Sequence, residues 1–171
     1  MHKLVIVVTA FSALAAAAAL SAAGANTISF TLLAPGPLTI SAPTSNVSLG
    51  SQVSSNVATT ISGQLGTVTV SDDRGGTRTW VASVIATAFV PPLTGTALAA
   101  STISYSAGPI TIVGAATGTA VAAPSLSGVS PVVNGGSTGS GTASWNPTIS
   151  VAVPADFVAG VYTSTITHSV V

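Results

Sequence analysis

"LGTVTVSDDRGGTRTWVASVIATAF", residues 65–89, decides the fold. In its first part Val68 and Val70 alternate with Thr and Ser, and in its last part Trp80, Ala82 and Val84 alternate with Val81, Ser83 and Ile85. A period of two is the mark of a strand with one buried face. Between the runs lie Asp72, Asp73, Arg74, Gly75 and Gly76, residue types that tolerate tight turns and positive φ. The stretch reads as a β-hairpin with Val68, Val70, Trp80, Ala82 and Val84 facing a core and the charges at its solvated tip. An Asp–Arg pair exposed there contributes at most about 1 kcal/mol, so the cluster serves solvation and turn formation more than stability.

The same period recurs outward from this hairpin. Segments 26–33, 36–41, 56–62, 100–106, 109–115, 147–154 and 160–171 carry β-branched residues in alternation, separated by Gly, Pro, Ser and Asn. No segment has a helical period. Many short strands with turn signals between them predict an all-β fold, an Ig-like antiparallel β-sandwich. Residues 123–147 break the pattern. Their "NGGSTGSG" has the composition of a flexible linker; the segment looks like a long loop or a weak hairpin and is read as a loop within the domain, with Trp145 beside it.

The amino-terminal "MHKLVIVVTAFSALAAAAALSAAGAN" has a basic start, an apolar run from Leu4 to Leu20 and the small-residue site Ala23-Gly24-Ala25. It reads as a secretory signal peptide cleaved after Ala25, leaving residues 26–171 as one domain with no membrane association. The mature chain then carries Arg74 and Arg78 against Asp72, Asp73 and Asp156. No basic patch exists to neutralise phosphates, so nucleic acid is disfavoured as a partner. With 4% charged residues in the whole chain, hydroxyls and amides must supply most of the polar surface.

Parts for chemistry are scarce. Cys and Glu are absent, Lys leaves with the leader, and His168 is the one mature histidine. No nucleophile motif, oxyanion loop or metal-ligand spacing accompanies it, so neither an enzyme nor a cofactor is expected. The neighbouring carboxylates Asp72 and Asp73 lack the spacing of a calcium loop, and side chains adjacent on an extended chain point apart, which suits paired-acid hydrolysis poorly. Recognition remains open: Arg74 and Arg78 beside Trp80 can pair with carboxylates of a wall polymer. Trp145 can stack on sugar rings or fold over one end of the sandwich. Tyr162, six residues after Asp156 and two after Gly160, is spaced to return its hydroxyl to the turn backbone, as in a tyrosine corner.

Two blocks, 65–89 and 153–170, resemble the WxL domain, a cell-surface domain of Gram-positive bacteria. The first resembles that family's "LGTVTVTD" strand, Arg-Gly turn and W-x-L strand, with Trp80 at the Trp and Ala82 at the Leu. The second, "VPADFVAGVYTSTITHSVV", resembles its "VPA…AGTY" turn and following strand. There Tyr162 matches the motif Tyr, Ile166 and Thr167 match Leu-Thr, His168 stands at the second Trp and Val170 at the second Leu. The resemblance implies non-covalent association with peptidoglycan at the cell surface, through Trp80, Arg74, Arg78, Trp145, Tyr162 and His168 as candidate binding residues. The other expectation is a structural or adhesive surface protein that joins copies of itself or other surface proteins through uncovered sheet edges.

Overall fold

A computed structural model describes residues 29–30, 35–91 and 95–171. The signal peptide and most of the strand expected over 26–33 lie outside the described residues. Pro35–Val171 is one folding unit, distinct from Met1–Ala34.

The strands are β1 (Leu38–Ser41), β2 (Thr59–Gln64), β3 (Val68–Asp72), β4 (Arg78–Ala86), β5 (Ile103–Ser106), β6 (Ile110–Ala120), β7 (Ser130–Trp145), β8 (Thr148–Val153) and β9 (Ile166–Val170), with a 3-10 turn at Ala100–Thr102. Every pairing is antiparallel. One sheet holds β1, β3, β4, β6, β7 and β9; the other has the order β2-β8-β5. The fold is an all-β sandwich. Val68, Val70, Trp80, Ala82 and Val84 are buried as their alternation predicts, and they share a core with Ile103, Tyr105, Ile149 and Val151 of the second sheet.

The expected hairpin is not a hairpin. Val68–Asp72 pairs with residues 145–141 and Arg78–Val84 continues along the same strand with residues 137–130, so β3 and β4 run one after the other along a single edge of β7. The chain does not reverse between them. Gly75 and Gly76, with φ of 70° and 68°, serve an excursion instead of a turn, because a bulge and a tight hairpin ask for the same residues. Five residues, 73–77, lie opposite three, 138–140, which in turn lie opposite Ala115 alone on β6. Bulges stacked across three strands in this way bend and coil a sheet.

The other correction concerns 134–141, which is not a loop: it is the middle of the sixteen-residue β7, paired on both edges at 134–137 and at 141, with the bulge between. Its glycines provide clearance. A Cβ added at Gly135 would overlap the six-membered ring of the Trp80 indole, and one at Gly141 would lie 2.7 Å from the Ala116 nitrogen. Glycine in a strand where another group must approach closely is a packing device. In the carboxyl-terminal segment, regular pairing starts at Ile166, later than the alternation from residue 160 predicts.

Candidate functional site

Asp72 is the last residue of β3 and is 1% exposed. Its Oδ1 accepts from Arg74 Nε at 2.9 Å and from the Arg74 backbone N–H at 3.2 Å. Its Oδ2 accepts from Arg74 Nη2 and from the Ser137 hydroxyl, both at 3.0 Å. Nη2 also donates to the Thr79 carbonyl at 2.9 Å, so one guanidinium joins the end of β3 to the start of β4 across the excursion. The Arg74 hydrogen bonds hold the Asp72 carboxyl down at about pKa 2, with Ser137 adding to them and burial opposing. The pair also raises Arg74 above its ordinary value. This pair is neither exposed nor at a hairpin tip, as expected from sequence; it clamps the bend in the sheet. Arg74 is thereby committed to Asp72, while Arg78 is exposed and, among the described residues, makes no ion pair.

Trp145 is also placed differently from expectation. It ends β7, is 2% exposed, and donates its Nε1–H to the Tyr105 hydroxyl at 2.8 Å. That hydroxyl lies 3.2 Å from His168 Nε2, and the Tyr105 and His168 rings meet edge to face with centroids 5.7 Å apart. The indole can only donate, so the Tyr105 oxygen accepts from it, and the direction of the Tyr105–His168 bond follows the histidine tautomer. Burial lowers the pKa of His168 and raises that of Tyr105. The chain Trp145–Tyr105–His168 ties β7 and β9 of one sheet to β5 of the other. Sequence reading missed Tyr105, although its place at a core-facing position of "ISYS" calls for a partner to its hydroxyl.

Trp80 is 2% exposed against Gly135, and its Nε1 has no hydrogen-bond partner among the described residues. The Tyr162 hydroxyl donates to the Val158 carbonyl at 2.9 Å, the tyrosine-corner bond its spacing anticipates, and its ring lies 5.2 Å from that of Phe157. Of the six sequence candidates, Trp145 and His168 meet through Tyr105, Trp80 is interior packing, Arg74 is a clamp, Tyr162 is a corner, and Arg78 stands free at the bend.

The surface offers something else. On the outward face of the larger sheet the cross-strand register aligns Ser41, Thr69, Ser144 and Thr111 in one row and Thr39, Ser71, Thr142 and Val113 in the next. Seven of these eight positions carry a hydroxyl and none carries a charge. Thr69 Oγ1 and Ser144 Oγ are 3.0 Å apart. Strand geometry spaces such groups about 4.8 Å across the sheet and about 7 Å along it. The smaller sheet repeats the device with Ser62, Ser150 and Ser104 in register, Ser62 Oγ donating to Ser150 Oγ at 2.8 Å. Among the described residues no group of three or more His, Cys, Asp or Glu side chains could hold a metal ion.

No family model matches the chain, and neither a curated protein nor a solved structure shows significant similarity to it.

Proposed function

We propose that this chain is a secreted, non-catalytic cell-surface module, a divergent relative of the WxL domain, that associates non-covalently with peptidoglycan through its outward hydroxyl rows. The observation that carries this reading is the eight-position array on the larger sheet, an uncharged face whose donors and acceptors repeat with the strand spacing. A polysaccharide strand offers hydroxyls and amides at short intervals, and many weak hydrogen bonds to it need no ionised partner. The tryptophans, which the motif alone would nominate, are enclosed in the core. The test is co-sedimentation with isolated peptidoglycan. The wild-type domain is expected in the pellet, and the triple variant Thr69→Val, Thr111→Val, Thr142→Val in the supernatant, with both folded by tryptophan fluorescence. Pelleting no greater than that of an unrelated β-sandwich overturns the reading.

A second reading, self-assembly through sheet edges, is favoured by β6. This eleven-residue strand pairs only with β7 among the described residues, contains no charge and no proline, and exposes Ile112 and Val113. Natural edges are commonly protected by those very residues. Light scattering that rises with protein concentration in the absence of wall polymer, and falls on Val113→Lys, would support it. A monomer at all concentrations excludes it.

A further inference from the structure

The outer edge of β6 is sharply bent at its midpoint. A Cβ added at Gly118 would lie 3.2 Å from Ile110 Cγ2 and 3.4 Å from Ile112 Cδ1. On a straight strand residues 110 and 118 stand about 26 Å apart, so the chain folds between them. The fold is at the bulge: Gly114 has a φ of 74°, and Ala115 alone faces residues 138–140 of β7. Ala115 is also the middle residue of the eleven from Ile110 to Ala120, so an arm of equal length runs to either side of the bend. Among the described residues β6 pairs only with β7, which leaves the other edge of both arms open. Along that edge Ile112 is 38% exposed and Val113 63%.

We propose that the occupant of this edge is β6 of a second copy, paired antiparallel about a two-fold axis through Ala115. The proposal rests on the edge-assembly reading above and names its partner and register. Backbone pairing requires a partner strand to follow at about 4.8 Å throughout, so a straight strand can pair with one arm but not with both. A second β6 centred on Ala115 bends at the same place. It also bends toward the same face, because the two-fold axis of an antiparallel pair runs along the sheet normal. The side chains agree with this register. Ile110 falls opposite Ala120, Ile112 opposite Gly118 and Thr111 opposite Thr119, large against small on one face and hydroxyl against hydroxyl on the other. No charge lies on either strand to oppose its counterpart. Such a contact is isologous: each copy uses the same edge, and the assembly closes at a dimer instead of growing into a fibre.

The chain contains no cysteine, so introduced cysteines read the register directly. Residues opposite one another in an antiparallel pair have Cα atoms about 4.5–5.5 Å apart, within the span of a disulfide. Mature domain carrying Thr111→Cys, mixed in equal amounts with domain carrying Thr119→Cys, is expected to form a disulfide-linked dimer under mild oxidation. Either variant alone, with its cysteines out of register across the axis, is expected to stay unlinked. The wild-type mass from light scattering should double with rising concentration and then level off. Both positions are exposed, so both variants should keep the wild-type Tm; if one does not, the plateau in the wild-type mass decides alone. Growth beyond two copies, or a disulfide formed as readily by one variant alone as by the mixture, would overturn the two-fold pairing and leave edge assembly standing. A monomer at every concentration would overturn both.

Discussion

The hydroxyl of Tyr105 and Nε2 of His168 lie 3.2 Å apart across the two sheets, and the same hydroxyl accepts from the indole of Trp145, which can only donate. Replacing Tyr105 by Phe keeps the ring and strands both neighbours: a buried indole N–H loses its acceptor and a half-buried imidazole loses its partner. The expected cost is about 1–3 kcal/mol. Urea unfolding followed by tryptophan fluorescence measures it, and an unchanged midpoint would remove the network from the list of stabilising features.

The same bond makes stability depend on pH. Burial lowers the pKa of His168 below its ordinary 6.5, so the unfolded chain takes up that proton first. Its contribution is complete above about pH 6.5 and is lost as pH falls toward the depressed native value. Tm should therefore fall between pH 7 and pH 5 in the wild type, and His168→Gln, which keeps an acceptor but cannot titrate in that range, should flatten this limb.

Asp72 governs a second, more acidic limb. Its native pKa of about 2 lies below the ordinary 3.8, so its contribution is fully present above about pH 4 and is lost as pH falls through 2. The shift corresponds to about 2 kcal/mol. Asp72→Asn should lower stability by about that amount at pH 7 and match the wild type near pH 2. Denaturant midpoints at both pH values check this, and an equal deficit at both would show that the loss is one of packing.

Gly135 and Gly128 separate clearance from flexibility. Gly135→Ala drives a methyl group into the Trp80 ring and should cost about 3 kcal/mol or prevent folding. Gly128 has open space around its Cβ position and no positive φ, so Gly128→Ala should stay within about 1 kcal/mol of the wild type. Thermal unfolding of the two variants side by side provides the comparison.

The inward set of β3 and β4 was legible in the sequence, since a period of two assigns each residue to a face whatever strand lies alongside. Pairing was not legible. Gly75 and Gly76 satisfy a bulge as well as a turn, and nothing local reveals that β7 occupies the place a hairpin partner would take. Composition misled at 134–141 for a related reason: glycines that make room for the Trp80 ring and for the backbone of β6 are indistinguishable from glycines that loosen a linker until the neighbours are known. Trp145, read as a loop residue that either stacks on sugar or folds over an end of the sandwich, enters the core as the last residue of that strand. The Tyr162 corner was readable because its partner is four residues away, whereas the Asp72–Ser137 bond joins residues 65 positions apart.

Chemical-shift mapping during titration with solubilised peptidoglycan fragments tests most directly whether recognition belongs to the hydroxyl face. Perturbations are expected at the amides of Thr69, Ser71, Thr142 and Ser144, with the indole N–H signals of Trp80 and Trp145 unmoved. Shifts concentrated at those indoles, or none anywhere on the larger sheet, would contradict it.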